Sequence, residues 1–307
     1  MVLERPAATP ERIASVSESQ PSPTASARAR EAPPRVAVVI PCFNDGALAA
    51  EAVSSLAPAD DVEVVVVDDG SSEAETLSSL AELVRKGVRV IRQENAGLSA
   101  ARMRGVSATT APYVFNLDAD DLASPGALAL MADRLDADQD AAVCYGDYVE
   151  FGTSEIARRV PSTIDPYRLA YTNEYPVTAL FRRSVLEAVG GWRHLGVGYE
   201  DWRLWMTLAE SGCNGVHAGA GVVTFRRRLH GERMLDGAKA EHRALYRGLR
   251  REHPGLFAEL GAHRRASDLS PLRKLLYPLI YGGRRRFRFE RRIKAWLDRR
   301  GLWTLRA

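Results

Sequence analysis

The sequence predicts an α/β fold in which a mostly parallel, doubly wound sheet is flanked by helices. Apolar, β-branched runs such as Val36–Ile40 and Val62–Val67 are continuous rather than alternating, as expected of strands buried on both faces. Runs of this kind alternate with helical segments along the first half of the chain, which is typical of βαβ units. The 307 residues are 46% hydrophobic and 26% charged, ordinary values for a globular chain that can bury a large core.

The elements follow from hydrophobic periodicity and from their boundary residues. In the first half, strands are predicted at Val36–Ile40, Val62–Val67, Val88–Arg92 and Tyr113–Leu117, and helices at Ala47–Leu56, Glu73–Arg85, Gly97–Ala108 and Pro125–Asp136. Asn44 or Asp45 is a candidate cap of the first helix. In the less regular second half, strands are predicted at Val143–Phe151 and Val222–Arg226, a short apolar stretch at Val177–Phe181, and helices at Ser184–Val189, Trp202–Ser211 and onward from Lys239.

Charge and composition divide the chain into three predicted regions. Residues 1–34 are rich in Ala, Pro, Ser, Glu and Arg and lack the apolar core of a signal peptide, so a disordered arm is expected. Residues 35–238 are expected to form the α/β domain, and residues 239–307 a helical basic extension. From residue 264 onward there are fourteen Lys or Arg and three Asp or Glu, a net charge of +11. Because the whole chain carries +3, the rest carries −8.

The basic extension suggests a partner. Phe289, Ile293, Trp296 and Leu297 fall on one face of a predicted helix, and arginines surround them. An anionic membrane surface suits such a helix, whereas packing on the acidic body or a homodimer are the alternatives. Nucleic acid is disfavoured because no recognition module accompanies the charge. We therefore treat the extension as a location or assembly device.

The number and spacing of the cysteines and the lack of a long apolar run indicate where in the cell the protein is expected. Cys42, Cys144 and Cys213 are odd in number and far apart, and no CxxC pair suggests zinc, so reduced thiols are expected. No run of about 18 apolar residues is present. The expected location is cytoplasmic, with peripheral attachment to the inner face of the membrane as an option.

Two acidic turns follow predicted strands. Asp118, Asp120 and Asp121 come directly after the fourth strand, and Asp68 and Asp69 come after the second. Clustered carboxylates repel one another unless a cation neutralises them, and hard oxygen ligands favour Mg²⁺ or Mn²⁺. Each turn taken alone could equally be a polar loop that caps the next helix. Their position at the carboxyl ends of buried strands favours a ligand site.

Seven motifs then occur in a recognisable order and spacing. In chain order they are Val38–Asn44 (VVIPCFN), Val67–Ser71 (VDDGS), Asn95–Arg102 (NAGLSAAR), Leu117–Asp121 (LDADD), Gly191–Trp192, Gly198–Trp205 (GYEDWRLW) and Phe225–His230 (FRRRLH). This pattern resembles the family-2 inverting glycosyltransferases, which have the GT-A fold, over roughly Arg35–Met234. Several motifs in order are far more specific than any one of them.

The resemblance implies how the donor would be held. Pro41, Phe43 and Asn44 would lie on the nucleotide side of the pocket. Asp69, with Asp68, would hold the base and ribose. The other implied donor and metal residues are Arg102 near the diphosphate, Asp118 and Asp120 as the Asp-x-Asp pair that binds the metal and donor, and His230 near the metal. One departure is Met103, where the family often has Asn, which puts in doubt polar contacts near the diphosphate.

The resemblance also implies the chemistry. Asp201 would be the base that removes the acceptor proton, and Glu200 would position the acceptor or serve as the base instead. Without the resemblance, this pair reads as an acidic start to a helix. Trp192, Trp202 and Trp205 could stack on sugar rings or pack in the core.

The expected function is therefore inverting, metal-dependent transfer from a UDP- or dTDP-sugar to an acceptor hydroxyl. The acceptor would be a glycan, a lipid-linked glycan or a small molecule. A nucleotidyltransferase is an alternative, but it should have a glycine-rich basic loop after the first strand, where this chain has Pro41–Gly46. A non-catalytic nucleotide-sugar binder or scaffold is a second alternative, although it would be expected to lack one of the acidic residues.

Overall fold

The computed structural model describes residues 33–56, 60–194, 198–229 and 234–281, together with Arg292 and Trp296. For residues 234–240 it describes the backbone only. The predicted arm at 1–34 lies almost entirely outside the described residues, and so do His230 and three of the four apolar residues predicted to form the face of the tail helix. All described residues belong to one compact unit.

Eleven strands within the described residues form two sheets. They are β1 (Val36–Cys42), β2 (Val62–Asp68), β3 (Arg89–Arg92), β4 (Tyr113–Asn116), β5 (Leu122–Ala123), β6 (Ala141–Tyr145), β7 (Asp147–Gly152), β8 (Ile156–Arg158), β9 (Leu180–Arg182), β10 (Asn214–His217) and β11 (Val223–Leu229). The larger sheet has the order β10-β6-β9-β4-β1-β2-β3, and the smaller has the order β5-β11-β7-β8.

The larger sheet is mostly parallel, as predicted. β1 pairs in parallel with both β2 and β4, and β2 pairs in parallel with β3. β9 alone in this sheet runs antiparallel to its neighbours β4 and β6. Every residue of β1 is buried, which agrees with its continuous apolar sequence because helices cover both faces of the sheet.

Eleven helices lie within the described residues. They are α1 (Gly46–Ser55), α2 (Ala74–Arg85), α3 (Leu98–Ser107), α4 (Ala127–Ala137), α5 (Pro166–Leu169), α6 (Arg183–Ala188), α7 (Glu200–Glu210), α8 (Met234–Glu252), α9 (Pro254–Ala258), α10 (Leu260–Ala266) and α11 (Pro271–Tyr281). α3 packs closely on β1, because a Cβ at Gly105 would collide with the side chain of Val39. This close approach brings the start of α3 near the carboxyl end of β1.

One predicted strand is wrong in extent. Val143–Phe151 is predicted as a single strand, but the chain forms β6 and β7 there, in different sheets. β6 pairs with β9 and β10, whereas β7 pairs with β11 and β8. β6 is fully buried, whereas β7 is only partly buried and carries Asp147 and Glu150.

The helical C-terminal region is confirmed as far as the structure describes it. α8 runs across the predicted boundary between residues 238 and 239. Tyr277 of α11 is fully buried against Tyr167 and Leu269. In the described part of the chain, no helix combines the length and apolar character needed to cross a membrane.

Candidate active site

The carboxyl ends of β1, β2 and β4 meet at one edge of the larger sheet. The parallel register pairs Cys42 with Asp68, so the segments after β1 and β2 start side by side. Asp69 follows β2 directly, and Asp118 lies two residues beyond β4. A cleft of about 970 Å³ opens at this edge, where ligands bind in open α/β sheets.

Eight of the eleven predicted site residues line this cleft. They are Pro41, Phe43, Asp69, Arg102, Asp118, Asp120, Glu200 and Asp201. Asn44 and Asp68 do not line it, and His230 lies outside the described residues. The fold therefore brings together acidic residues that are up to 132 positions apart in the chain.

Asn44 and Asp68 hold the turn that follows β2. The Asn44 Oδ1 atom accepts a hydrogen bond from Ser72 N at 2.9 Å, so this residue supports the start of α2 and not that of α1. Asp68 accepts from Ser71 N at 2.9 Å and from Arg92 Nη1 at 2.8 Å. Both side chains thus act on the shape of the turn.

Asp69 links that turn to the start of α3. Its carboxylate accepts hydrogen bonds from Gln93 Nε2 at 2.7 Å and from the backbone N–H groups of Ala96 and Gly97, both at 2.9 Å. The two backbone donors lie at the N-terminus of α3, where a negative charge is favoured. The carboxylate is therefore oriented before any ligand is present.

Three carboxylates crowd the end of β4. All three line the cleft; Asp118 and Asp120 are partly exposed, whereas Asp121 is buried. Burial, together with the charges of Asp118 and Asp120, raises the pKa of Asp121 well above its ordinary value. Such mutual repulsion is the condition that a bound cation relieves.

The donor set fits a divalent cation that is completed by a substrate. Mg²⁺ and Mn²⁺ are commonly held by one or two protein carboxylates plus substrate phosphates. Asp118 and Asp120 supply two such groups. Among the described residues, no group of three or more His, Cys, Asp or Glu side chains is arranged to hold a metal.

Arg102 joins the acidic turn to the other wall of the cleft. Its Nη2 donates to Asp118 Oδ1 at 2.8 Å, and its Nη1 donates to Glu200 Oε1 at 3.0 Å. The side chain is only 1% exposed. Burial lowers the pKa of Arg102, but Asp118 and Glu200 outweigh this effect and raise it. Arg102 is thus a buried, permanently charged bridge between two predicted functional carboxylates.

Asp201 sits at the first turn of α7 with both oxygens engaged. Oδ1 accepts from Trp202 N at 2.7 Å, and Oδ2 accepts from Asn173 Nδ2 at 3.0 Å. Burial and the neighbouring Glu200 raise the pKa of Asp201 to about 6, against the opposing effects of these hydrogen bonds and of Arg102. A carboxylate with this pKa is ionised at neutral pH yet basic enough to accept a proton.

The three tryptophans have different surroundings. Trp192 and Trp205 are buried in the core, where Trp205 Nε1 donates to Pro176 O at 3.0 Å. Trp202 lines the cleft and is anchored by a 2.8 Å hydrogen bond from Nε1 to Leu169 O. Trp202 also belongs to the core cluster and is 4% exposed, but of the three it alone lines the cleft.

Met103, the departure from the family pattern, packs away from the cleft. Gly191 has φ +59°, and a Cβ there would collide with the Met103 thioether. Met103 also packs against the core cluster that contains Trp192. An apolar side chain at position 103 therefore fills the space above the glycine turn.

The structure adds cleft residues that the sequence did not assign. Arg227, within the predicted arginine-rich segment, lines the cleft while Glu150 pairs with it. Asn173, on a loop with no motif, contacts Asp201. Three more cleft residues, His242, Ile280 and Tyr281, come from the C-terminal helices. Only the arginine run carried a sequence signal.

Comparison with known families agrees with this geometry. The model of glycosyl transferase family 2 matches residues 37–190, half of the chain. The chain belongs to glycosyl transferase family 2. A similar relative of this family-2 chain is the uncharacterized glycosyltransferase YibD of Escherichia coli K12, which is 33% identical over 133 residues. That match covers 42% of this chain and 38% of YibD, so the chain spans about two fifths of that relative's length.

Two solved structures share the fold of the family-2 chain. Staphylococcus aureus TarS 1-349 in complex with UDP-GlcNAc has a TM-score of 0.58 and 18% identity, covering 78% of this chain and 69% of that one. The mannosyltransferase PcManGT from Pyrobaculum calidifontis, in complex with GDP-Man and Mn²⁺, has a TM-score of 0.55 and 20% identity, covering 89% and 85%. At these identities the likeness establishes the GT-A architecture.

Proposed function

We propose that this family-2 chain transfers a sugar from a nucleotide-sugar donor to an acceptor hydroxyl with inversion at the anomeric carbon. The donor would be of the UDP or dTDP type, and the acceptor a glycan, a lipid-linked glycan or a small molecule. One observation carries the proposal: the candidate base Asp201 and the acidic turn at Asp118 face one cleft and are joined through Glu200 and Arg102. That arrangement serves a reaction with a base at one end and a charged leaving group at the other.

Asp201 would act as the base. It would take the proton of the acceptor hydroxyl as that oxygen forms a bond to the anomeric carbon. The bond from this carbon to the diphosphate breaks on the opposite face, so the configuration inverts and a nucleoside diphosphate leaves. The partners Trp202 N and Asn173 would keep the carboxylate oriented, and Glu200 would help to position the acceptor.

Asp118 and Asp120 would hold Mg²⁺ or Mn²⁺, with His230 as a further candidate. When bound, the ion would stabilise the negative charge that develops on the leaving diphosphate. Arg227, beside Asp121 in the cleft, would add a fixed positive charge. The PcManGT complex, which contains GDP-Man and Mn²⁺, supports a divalent ion in this kind of fold.

Asp69 would recognise the nucleotide, with Pro41 and Phe43 beside it. The half-exposed Phe43 ring offers a face for a base to pack on. Asn44 and Asp68 would contribute through the turn that they hold. The TarS complex with UDP-GlcNAc supports a UDP-type donor, whereas the PcManGT complex with GDP-Man makes guanine donors a necessary part of any screen.

A donor screen tests the proposal. The purified 307-residue chain is incubated with UDP-, dTDP- and GDP-sugars plus Mn²⁺, and released nucleoside diphosphate is measured. We expect turnover with at least one donor and a loss of about 10²- to 10⁴-fold in kcat for Asp201→Asn, with nucleotide binding retained. Asp140→Asn, the same change at an exposed carboxylate, should match wild type.

Two results would count against the proposed function. Retained turnover in Asp201→Asn would remove its role as the base. Nucleotide binding without turnover for any donor would instead favour a non-catalytic nucleotide-sugar binder.

We also propose that α11 attaches the protein peripherally to an anionic membrane. Leu272, Leu275 and Leu279 lie on one face of this helix and are 51%, 58% and 66% exposed. The chain from residue 264 onward carries +11. Exposed leucines next to concentrated positive charge suit the boundary between anionic headgroups and acyl chains.

A further inference from the structure

Residues 173–176 form a short stretch of chain beside the proposed base, and we call it the support segment. Its first residue, Asn173, donates the hydrogen bond to Asp201, and all four of its residues line the cleft. The segment belongs to no helix or strand, so the regular backbone hydrogen bonds of those elements do not fix its shape. Whatever holds the support segment therefore decides how Asp201 is oriented.

The amide of Asn173 is fixed from within the support segment. Its Oδ1 accepts a hydrogen bond from Tyr175 N at 3.0 Å, which turns Nδ2 toward Asp201 Oδ2. An ionised carboxylate only accepts hydrogen bonds, so this orientation is the one that serves Asp201. The bond to the base consequently depends on where the backbone of the segment lies.

The end of the support segment is held by the body of the domain. Tyr175 Oη donates to Thr163 O at 2.7 Å and accepts from Asp165 N at 2.8 Å. The Tyr175 ring lies 4.9 Å from that of Trp205, whose Nε1 donates to Pro176 O at 3.0 Å. These contacts fasten residues 175 and 176 to α7 and to the core.

The middle of the support segment is held by Arg168 of α5. The guanidinium reaches three carboxylates: Nη1 donates to Glu174 Oε2 at 2.7 Å, Nη2 to Asp268 Oδ1 at 2.7 Å, and Nε to Asp165 Oδ2 at 3.3 Å. The Arg168 side chain is only 3% exposed. A buried cation in such a set cannot move without losing charge-assisted hydrogen bonds.

One of these carboxylates belongs to the C-terminal extension. Asp268 lies between α10 and α11, is half exposed, and is not a cleft residue. Its neighbour Ser267 donates from Oγ to Asp165 Oδ2 at 2.6 Å. The extension thus grips Arg168 from outside the cleft, and Arg168 in turn holds Glu174, the residue next to Asn173.

We infer that Arg168 is a positioning residue for the proposed base. The tie from Asp268 through Arg168 to Glu174 holds the support segment where Asn173 meets Asp201. Arg168 does not line the cleft, so it acts through the segment and touches no reacting group. The inference rests on the proposed transfer reaction for calling Asp201 the base. It gives residues 267 and 268 of the C-terminal extension a part in the reaction.

The charged and titratable groups that act on Asp201 are separate from this tie. Glu200 and Tyr199 precede Asp201 in the chain, and Arg102 reaches it from α3. His242 of α8 is hydrogen-bonded to Tyr199 Oη at 2.8 Å. A change at position 268 alters none of these four groups.

The direction of a pKa change distinguishes positioning from simple electrostatics. Removing the negative charge of Asp268 would by itself favour the ionised form of Asp201 and lower its pKa. Loosening the support segment weakens the Asn173 hydrogen bond to that ionised form and raises the pKa. The two effects therefore have opposite signs.

The test uses variants at Asp268, since removing Arg168 would leave the buried Asp165 unpaired and endanger folding. Asp268→Ala releases one of the three anchors of the guanidinium. Asp268→Asn also removes the charge but keeps an oxygen that accepts from Arg168. The matched control is Asp133→Ala, which removes a 70% exposed carboxylate that pairs with Arg35 at 2.7 Å.

Titration of Asp201 is followed by NMR of aspartate carboxyl carbons in the ¹³C-labelled 307-residue chain, without donor or acceptor. The Asp201 signal is assigned as the one lost in Asp201→Asn. The same proteins are assayed for kcat and for the donor KM.

We expect Asp268→Ala to raise the Asp201 midpoint by about half a pH unit. Near pH 6 this lowers kcat by about twofold, with the donor KM unchanged. Asp268→Asn and Asp133→Ala should behave as wild type. In Asn173→Ala, where the path to Asp201 is already cut, Asp268→Ala should add no further shift.

Three results would overturn the inference: the midpoint in Asp268→Ala stays or falls, Asp268→Asn shifts it as much as Asp268→Ala does, or the full shift persists in Asn173→Ala. If the titrations are as expected but no donor is turned over, the positioning of Asp201 stands and the proposed transfer reaction falls.

Discussion

Asn173 donates a hydrogen bond of 3.0 Å from Nδ2 to Asp201 Oδ2. Since Trp202 N holds the other oxygen at 2.7 Å, the carboxylate cannot rotate without losing a partner. The loop that carries Asn173 precedes α7 by more than twenty residues and contains none of the family motifs. The orientation of the proposed base is therefore set by a residue that acts only through the tertiary fold.

This hydrogen bond predicts a shift in the pH profile. With the pKa of Asp201 at about 6, the base is protonated and inactive below this pH, so kcat should rise through pH 6 and level off above it. Asn173→Ala removes a bond that favours the ionised form, which raises the pKa and should move the rise to higher pH. The rate of nucleoside diphosphate release, measured from acid to neutral pH, gives the pH profile of kcat for both proteins. Gln139→Ala, an exposed amide, is the control, and an unmoved profile in Asn173→Ala would contradict the prediction.

The Arg102 bridge predicts that replacing this arginine with an uncharged residue will greatly lower the free energy of unfolding. Arg102→Met leaves Asp118 and Glu200 facing each other without their shared cation, which should cost about 3 kcal/mol of unfolding free energy. Arg104→Met, an exposed arginine on the same helix, should change it by less than about 0.5 kcal/mol. Urea denaturation followed by circular dichroism compares them. Equal urea midpoints for Arg102→Met and Arg104→Met would mean that the bridge contributes nothing to stability.

The crowded carboxylates predict dependence on a divalent ion. Removing metal with EDTA should abolish transfer, and Mn²⁺ or Mg²⁺ should restore it. Asp120→Asn removes one proposed ligand and should raise the metal concentration for half-maximal activity by at least about tenfold. Thermal shift with Mn²⁺ and nucleoside diphosphate gives a readout besides activity. Metal-independent turnover, or a normal metal requirement in Asp120→Asn, would be inconsistent with the proposed site.

The exposed face of α11 predicts salt-sensitive binding to anionic vesicles. The 307-residue chain should co-sediment with phosphatidylglycerol vesicles at low salt and less at high salt, because salt screens the attraction between its basic residues and the anionic headgroups. Leu275→Glu should release most of the bound protein, whereas Leu77→Glu, at a 38% exposed leucine of α2, should not. If Leu275→Glu instead dissociates a dimer in analytical ultracentrifugation and leaves vesicle binding unchanged, the face is an interface between two copies.

Local sequence was enough to predict the layout of the first half. Continuous β-branched runs, the turn residues that end them and the helical segments between them fixed β1 to β4 and α1 to α4 to within a few residues. Parallel strands place their carboxyl ends at the same edge of the sheet. The sequence therefore also predicted that Asp69 and Asp118, which follow two such strands, would lie at that edge. Eight predicted residues consequently line one cleft.

The second half depended on interactions between distant segments. Gly146 and Asp147 are the local signs of a break between β6 and β7, but they do not tell that the two strands join different sheets, which depends on the strands they pair with. Asn44 and Asp68 carried family motifs, yet their side chains support a turn instead of lining the cleft. A motif reports which residues occur together, and only the packed backbone decides which atoms face the ligand.

By itself, then, the sequence determined the α/β class, the family resemblance and the acidic residues of the cleft, since these follow from short-range patterns. The tertiary structure decided that Arg102 bridges Asp118 and Glu200, that Asn173 orients Asp201, and that α11 contributes Ile280 and Tyr281 to the same cleft. These contacts join residues separated by many positions in the chain. They form only when sheet register and helix packing bring those residues within hydrogen-bonding or van der Waals distance.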